Sequence, residues 1–375
     1  MDRLSVGMDV HKEKVVMLGL PERGDTPVMR ETFRGDNISG IVKRLRTLSR
    51  AWVVDSCYEA GPSGYGLARV LTEAGISCRV VAPSLMPRRP GNLVKTDIRD
   101  AKELAAALRA QTLEFVRIPS CEEEEVRGLV RCREDIARQL RSFKQIVSHW
   151  LLSHGHRPPA KVNRWSPVFW TWVRGLPLPP MERMVLDHYL DVLLMLEDRR
   201  KQVESQICEL ADREEYRERV CRLGSLRGFS KLAAMRLIAE VMDFSRFPKA
   251  SAFMKFTGLT PSEHSSSERI RRGKITKGGN SHIRHVLVEA VQRAHVSARP
   301  GRSLLKRQEG AAGEFRQIAL KCLLRLYRKF WAYTKRGVPV GKVRVAMARE
   351  LAGFVWASSD GGGFLQRRPT LAGGR

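Results

Sequence analysis

The sequence lacks any run of about 18 apolar residues, which is roughly the length that a membrane-spanning helix needs. Its opening residues, MDRLSVGMDVHKEK, also lack the apolar core of a secretory signal peptide. With 43% hydrophobic residues in a chain of 375, there is nevertheless enough apolar material for two or three folded domains. We therefore expect a folded cytoplasmic protein without a membrane anchor.

Paired cysteines are absent as well. The seven cysteines are scattered along the chain, and none of them forms a CxxC motif. This pattern excludes a typical zinc finger, and the odd number argues against a disulfide framework. We predict reduced, buried thiols.

Acidic residues are scarce relative to basic ones. The chain has 40 Asp and Glu against 67 Lys and Arg, which gives a net charge of +27 and a pI near 10.5. Such an excess usually reflects a polyanionic partner, and nucleic acid is the first candidate. A membrane surface is the weakest alternative, because no segment opposes a strongly basic face to an aromatic and aliphatic face.

Residues 1–115 alternate strand-like and helical patterns, which predicts a mixed α/β domain. The run AWVVDSC at 51–57 is continuously apolar up to its acidic end and is typical of a buried central strand. The predicted strands cover 4–10, 14–20, 28–35, 51–57 and 77–83, and the predicted helices lie near 37–50, near 64–75 and from about 97.

The rest of the chain is predicted to be helical. Apolar residues at heptad spacing predict two long helices in a spacer at 116–220, interrupted by the Pro- and Trp-rich stretch 157–180. These helices could form a hairpin, an oligomerising coiled coil or a simple spacer. Residues 221–356 form a predicted basic C-terminal domain with a helix-hairpin-helix-like element at 226–241, and the Gly-rich tail 357–375 is predicted to be disordered. The two predicted seams consist of Ile136, Leu140, Phe143, Val147 and Trp150, and of Val185, Tyr189, Val192, Leu196, Val203, Ile207 and Leu210.

Four carboxylates lie at the ends of predicted elements in the first domain. Asp9 ends the first strand, Glu59 follows the buried strand, and Asp97 and Asp100 share one face of a helix start. The ends of strands in an α/β sheet are where ligands usually bind, and hard oxygen ligands suit Mg²⁺ or Mn²⁺. A pair of such ions would serve displacement at a phosphodiester. Taken singly, Asp97 and Asp100 are equally explained as acidic residues that the helix dipole favours.

The second candidate site is a serine run followed by a basic, glycine-rich strip, HSSSERIRRGKITKGGNSHIRH at 264–285. The glycines would let backbone N–H groups approach a phosphate, and Asn280 is a good N-cap for the helix that follows. Without further information the serines could equally be solvent-facing loop residues. The candidate nucleic-acid-binding residues are Arg269, Arg271, Arg272, Lys274, Lys277, Asn280 and Arg284, with Arg88, Arg89 and Lys95 in the basic loop before Asp97.

The motifs GMDVHK, YEAGPSGYGL and KTDIRDA resemble the acidic motifs of the DEDD-type insertion-sequence transposases, the IS110 family with its pilin-gene invertase relatives. FMKFTGLTPSEHSSS and RGKITKGGNSHIRHVLVEA resemble the C-terminal motif of the same family, so the resemblance covers nearly the whole chain.

The resemblance implies a ribonuclease-H-like (RuvC-type) domain in which Asp9, Glu59, Asp97 and Asp100 bind metal. It also implies a catalytic serine, which falls on Ser266 when GLTP is aligned, with Ser265 as the alternative one residue away. That serine would form a covalent phosphoserine intermediate with DNA. Here Ser267 and Glu268 follow it, where many relatives have glycines, which affects the expected loop shape.

The family further implies donor and target DNA and a guiding bridge RNA as partners, and a homo-oligomer (dimer or tetramer) that acts at the nucleoid. Two alternatives remain open from the residues themselves. A metal-dependent nuclease for branched DNA, similar to a Holliday-junction resolvase, would need the carboxylates and water alone. A non-catalytic nucleic-acid-binding scaffold would need neither the serine nor a metal.

Overall fold

The computed structural model describes residues 1–83, 86, 96–263 and 272–359, with only the backbone of Arg272. The chain divides into two compact units, unit 1 at Met1–Ser120 and unit 2 at Cys121–Arg375. The predicted mixed α/β domain followed by a helical region is confirmed. The further division of unit 2 into a spacer and a C-terminal domain stays a prediction.

Unit 1 is built on a six-stranded mixed sheet with the order β3-β2-β1-β4-β5-β6. β1, β2 and β3 are antiparallel neighbours, β1, β4 and β5 are parallel, and β6 pairs antiparallel with β5. This arrangement is that of a ribonuclease-H-like sheet, and it brings the carboxyl ends of β1 and β4 to one edge. The strands are β1 (Arg3–Val10), β2 (Lys14–Pro21), β3 (Met29–Arg34), β4 (Val53–Glu59), β5 (Ser77–Val81) and β6 (Phe115–Val116).

Helices cover both faces of this sheet because alternate residues of β1 and β2 are buried on opposite sides. Leu4, Val6 and Met8 pack with α1 and α2, whereas Val16 and Leu18 pack with α3. The helices are α1 (Ile38–Leu48), α2 (Gly66–Glu73) and α3 (Asp97–Arg109). The predicted elements therefore exist, but the central strand begins at Val53, two positions after the predicted start. Ala51 and Trp52 instead close a turn after α1, where both N–H groups donate to Leu48 O.

Unit 2 begins with a helical hairpin. The long helices α4 (Cys121–Ser153) and α6 (Pro180–Asp212) pack together, and α5 (Pro167–Arg174) lies in the Pro- and Trp-rich stretch between them. On α4, the predicted seam residues Leu140 and Val147 are buried. On α6, the predicted seam residues Ile207 and Leu210 are buried. The first part of the seam is shifted by one position: Leu186, Leu190 and Leu193 are buried, whereas Val185 is 40% exposed. Apolar residues occupy several faces of this part of α6, so the spacing alone could not select the face that meets α4.

The remaining helices surround one core that also includes the base of the hairpin, with Val130 from α4 and Ile207 from α6. The helix-hairpin-helix-like element exists, but its first helix lies earlier than predicted and ends at Gly224, so that only the turn and the second helix fall within 226–241. The elements are α7 (Glu214–Gly224), α8 (Lys231–Val241), α9 (Ala250–Phe256), β7 (Pro261–Glu263), β8 (Arg272–Ile275), α10 (Ser281–Ala290), α11 (Arg302–Gln308), α12 (Gly313–Lys335) and α13 (Val340–Ala357).

All seven cysteines are free, as predicted. The expectation that they are buried holds for Cys57, Cys78 and Cys322, but it is wrong for Cys121 and Cys132, which are exposed on the outer side of α4. None of the helices in the described part of the chain is both long enough and apolar enough to span a membrane. The predicted tail lies outside the described residues from position 360 onward.

Candidate functional site

The candidate metal centre lies at the edge of the unit 1 sheet where β1 and β4 end. Met8 pairs with Tyr58 in the parallel register, and both side chains are buried in the core beneath α1 and α2. Asp9 and Glu59 follow one residue later on each strand. Because side chains alternate along a strand, both carboxylates are directed to the opposite face, which α3 covers.

Helix α3 supplies the other two predicted acidic residues. Thr96 caps this helix by accepting a hydrogen bond from Arg99 N, so that Asp97 and Asp100 fall in its first turn. The helix lies directly against β1 because Gly7 has no side chain. A Cβ at Gly7 would lie 2.1 Å from Ala101 O and 2.5 Å from Ala105 N. This close approach is what sets the start of α3 beside the end of β1.

Asp9 and Asp97 meet in this arrangement. Together with His11 they place one ligand atom each within 4.8 Å of one another, and among the described residues this is the group with metal-binding geometry. Glu59 and Asp100 lie at the same edge but outside that group. Asp100 is near enough to raise the pKa of Asp9 electrostatically. The four predicted carboxylates thus share one edge of the sheet, with Asp9 and Asp97 at its centre.

Burial and neighbouring charges shift the pKa values of Asp9 and Asp97 in this cluster. Partial burial raises the pKa of Asp9; the proximity of Asp97 and Asp100 adds to that rise, and His11 opposes it. Nε2 of His11 lies 3.1 Å from Oδ2 of Asp9. Lys14, the first residue of β2, forms an ion pair with Asp97 and lowers the pKa of that carboxyl. Lys14 therefore supplies positive charge beside the carboxylates, and His11 lies within hydrogen-bond distance of Asp9.

His11 and Lys14 were not among the residues predicted from the sequence. Both lie in the stretch MDVHKEK that contains Asp9: His11 is in the short connection after β1, and Lys14 is the first residue of β2. The signal was present: a histidine two residues after a candidate ligand and a lysine at the start of the adjacent strand. Only the hairpin geometry, in which His11 N donates to Lys14 O, turns both side chains back to the carboxylates.

The second candidate site lies in unit 2 around the basic strip. β7 and β8 pair antiparallel on either side of residues 264–271. Ser265, Ser266, Arg269 and Arg271 fall in that segment, which lies outside the described residues, as do Arg88, Arg89 and Lys95 in unit 1. Of Arg272 only the backbone, in β8, is described.

Beyond this segment, Lys274 and Lys277 are exposed. Arg284 is turned inward and donates from Nη1 to the carbonyl oxygens of Thr257 (3.2 Å) and Gly279 (2.6 Å). Burial lowers its pKa. Gly279 lies against Phe256 O, so this glycine lets the strip pack on the end of α9. Arg284 therefore holds this part of the strip against the end of α9. Its contribution to nucleic-acid binding stays a prediction.

Asn280 caps α10, as predicted. Its Oδ1 accepts from His282 N (2.8 Å) and Ile283 N (3.3 Å), and its Nδ2 donates to Oε2 of Glu240 (2.6 Å). Glu240 is almost fully buried and also accepts two hydrogen bonds from Arg131. The end of the basic strip is thereby connected through α8 to the long helix α4.

A second charged network connects the same helices. Arg236 of α8 is 5% exposed and donates to Glu134 of α4 (2.7 Å) and to Glu289 of α10 (2.7 Å). Glu134 also pairs with His282. Burial alone would raise the pKa of Glu134, but hydrogen bonds from His282 and Arg236 outweigh it and bring the pKa to about 2. Sequence reasoning missed this network; its signal is the pair of charged residues at 236 and 240 in the otherwise apolar part of α8.

Comparisons with known proteins match both regions of the chain. Residues 6–155, which include all four acidic residues, match a family model described as Transposase, of the DEDD type of IS110 elements. Residues 221–305, which include the serine run and the basic strip, match the model of the Transposase IS116/IS110/IS902 family.

Curated relatives span most of the chain. It is 36% identical over 355 residues to the putative transposase y4qE of Sinorhizobium fredii (strain NBRC 101917 / NGR234), covering 94% of this chain and 87% of that protein. It is 28% identical over 342 residues to the transposase for insertion sequence element IS1533 of Leptospira borgpetersenii, covering 88% and 96% of the two chains. On these similarities, the chain belongs to the IS110 family of insertion-sequence transposases.

Proposed function

We propose that this transposase cuts and rejoins DNA strands through a covalent phosphoserine intermediate, with a divalent metal held by Asp9, Glu59, Asp97 and Asp100. The observation that carries the proposal is the meeting of Asp9 and Asp97 at the end of β1. A gathering of carboxylates in a strongly basic chain is the arrangement that a cation would favour.

The residues present fit a divalent cation. Carboxylate oxygens are the ligands that Mg²⁺ and Mn²⁺ prefer. Burial raises the pKa of Asp9, with a smaller contribution from Asp97 and Asp100, and a bound cation would oppose both effects by stabilising the carboxylate. When bound, the metal would supply charge neutralisation at the scissile phosphodiester. The protein's part is to hold the carboxylates together, which the close approach of α3 to Gly7 achieves, and to keep Lys14 at the rim as a counter-charge.

Ser266 is the proposed nucleophile. Its Oγ would bond to the phosphorus as the bond from phosphorus to a DNA oxygen breaks, and the proton lost by the serine would balance the one gained by the leaving strand. A free DNA hydroxyl would then attack the phosphoserine and release Ser266. Support comes from the family match over 221–305 and from the exposed Lys274 and Lys277 beyond the serine run. Ser265 is the alternative nucleophile.

A guiding bridge RNA and a homo-oligomer complete the proposal. The net charge of +27 is compatible with RNA as well as DNA as a polyanionic partner. On α6, Met181, Met184 and Met195 are 71%, 54% and 54% exposed. A row of exposed methionines on a long helix supports contact with another subunit.

The deciding experiment combines the protein with Mg²⁺, co-purified RNA and end-labelled element DNA, followed by a denaturing gel. We expect a labelled band at the mass of the protein. It should vanish in Ser266→Ala and Asp9→Asn and persist in the matched control Ser267→Ala, one residue away in the same run.

Three outcomes would contradict the proposal or part of it. Loss of the band in Ser265→Ala but not in Ser266→Ala would move the nucleophile by one position. Cleaved DNA with free ends and no adduct in the wild type, unaffected by Ser266→Ala, would instead indicate a metal-dependent nuclease that uses water. No Mg²⁺-dependent cleavage at all would favour the scaffold.

A further inference from the structure

We propose that the arginine-lined cavity at the helix-hairpin-helix turn of unit 2 binds the phosphodiester backbone of duplex DNA. The cavity has a volume of about 580 Å³ and lies between the turn after α7, the end of α10 and the start of α11. It shares no residue with the acidic cluster or with the basic strip at 269–284. The inference rests on the family's action on DNA and is independent of the phosphoserine chemistry.

The turn is held against α10 by Gly228. This glycine has φ of +96°, and an added Cβ would lie 2.2 Å from Ala290 O. Only glycine tolerates both the left-handed conformation and the close approach. The contact places Arg227, the residue before it, beside Arg293, which follows α10.

Arginines dominate the charge of the cavity. Four arginines line it, and Glu289 is the one acidic residue among the described lining residues. The arginines are Arg227, Arg293, Arg299 and Arg307. Glu289 is already engaged by Arg236 at 2.7 Å. Within residues 1–83, 96–263 and 272–359, none of the four arginines forms an ion pair with a carboxylate oxygen within 4.0 Å. Burial and the nearby Arg293 lower the pKa of Arg227, as expected of like charges held together. This local excess of positive charge calls for an external anion.

Two of these arginines, Arg227 and Arg307, hold the walls of the cavity by hydrogen bonds to backbone carbonyl groups. Arg227 donates to the carbonyl oxygens of Ser297 and Arg299, each at 2.5 Å, and Arg307 donates from Nε to Gly224 O at 3.1 Å. These bonds hold the loop 297–301 and the helix α11 around the turn. The side chains of Arg293 and Arg299 remain exposed at the rim. The cavity thus combines a rigid frame with two exposed cationic groups.

The lining favours duplex DNA over single-stranded nucleic acid. Among the residues that the structure describes, no aromatic side chain lines the cavity. The apolar lining residues are Ala290, Val296, Pro300 and Leu304. Proteins that bind single strands usually stack bases on aromatic rings, whereas duplex backbones are held by arginine, by small hydroxyl side chains and by backbone groups. Ser303 and Gly301 supply groups of the second kind here.

The test measures binding of a short fluorescein-labelled DNA duplex of arbitrary sequence by fluorescence anisotropy, between about 50 and 200 mM salt. All proteins carry Asp9→Asn, so that strand cutting does not contribute. In the double variant Arg293→Gln and Arg299→Gln we expect weaker binding, with a slope of log K against log salt shallower by roughly 1 for each lost phosphate contact. The variant Arg293→Lys and Arg299→Lys should keep most of the wild-type slope.

A matched control removes the same charge elsewhere in unit 2. Arg328 of α12 and Arg349 of α13 are exposed and outside the cavity lining, so Arg328→Gln with Arg349→Gln should change the slope less. Equal slopes for the two double variants, with equal thermal stability, would overturn the proposal. A loss confined to a single-stranded RNA probe would assign the cavity to RNA and overturn the assignment to DNA. The adduct assay with Ser266→Ala remains a separate test, because either result can occur without the other.

Discussion

Lys14 and Asp97 illustrate how single residues tune the acidic cluster. The ammonium group of Lys14 pairs with the carboxylate that any divalent cation at this site would need. At the same time, both side chains keep contact with solvent, which screens their ion pair and keeps it weak. Lys14 therefore acts as a weak competitor for the metal.

We expect Lys14→Gln to bind Mn²⁺ about 2- to 5-fold more tightly in the absence of DNA, since the competing charge is removed. Isothermal titration calorimetry measures the effect. Lys12→Gln, which removes the same charge from the same hairpin, should change the affinity less. Weaker Mn²⁺ binding in Lys14→Gln would show that the lysine supports the site by another route.

The pair of His282 and Glu134 makes the free energy of unfolding of unit 2 depend on pH. The hydrogen bond that His282 donates to Glu134 raises the pKa of His282 above 6.5. Its stabilising effect is therefore complete below pH 6.5 and is lost as pH rises through the raised value. Glu134 has its pKa lowered from 4.5 to about 2, so its effect is present above pH 4.5 and is lost as pH falls toward 2.

Accordingly, the free energy of unfolding of unit 2, from urea titrations, should decrease as pH rises above 6.5 and, separately, as pH falls below 4.5. In His282→Gln the decrease on the alkaline side should be smaller, whereas that on the acidic side should persist because Arg236 still pairs with Glu134. An unchanged alkaline profile in His282→Gln would contradict this assignment.

At the scale of elements, the docking of α3 on β1 decides whether the acidic cluster forms. Gly7 leaves room for the backbone of α3, and the first turn of that helix then lies beside Asp9. We expect Gly7→Ala to destabilise unit 1 by about 1–3 kcal/mol, the usual cost of overpacking. Because the helix must shift, the affinity for Mn²⁺ should fall as well.

Thermal unfolding and Mn²⁺ titration of the same preparations test this prediction. Gly66→Ala is the matched control, because a Cβ there meets nothing within 4 Å and its effect on stability should be less than about 1 kcal/mol. If Gly7→Ala lost stability but kept full affinity for Mn²⁺, the spacing between α3 and β1 would not control the site.

For the whole molecule, the relevant feature is that the two units have separate cores. One set of buried clusters belongs entirely to residues 1–120, and the others belong to the helices from α4 onward. A local defect should therefore remain in its own unit.

Hydrogen exchange by mass spectrometry can follow both units in one sample. Gly7→Ala should accelerate exchange in peptides from 1–120 and leave those from 121–359 close to wild type. Arg236→Ala should do the reverse, because it removes the arginine that pairs with both Glu134 and Glu289 and leaves Glu134 paired with His282. Faster exchange in both units from either substitution would show that their stabilities are coupled.

The acidic residues and the cap of α10 could be found without coordinates because their signals are local. Asp9 follows an apolar strand pattern, Thr96 and Asp97 mark a helix start, and Asn280 precedes an apolar periodic segment. The packing face of α6 could not be found in this way. Several of its faces are apolar, and the choice of Leu186 over Val185 is made by contact with α4.

What the sequence by itself determined is therefore the strands β1 to β5 with their helices, the cap of α10 and the acidic residues at strand and helix ends, since each depends on a few neighbouring residues. The short strands β6, β7 and β8 and the helix α5 were not predicted. Only the tertiary structure decided that Lys14 meets Asp97, that Arg236 joins Glu134 to Glu289, and that Arg227 faces Arg293. Glu134 and His282, for example, are 148 positions apart in the chain. Charges so distant pair only when packed helices bring them together, and no short-range pattern records which helices will pack.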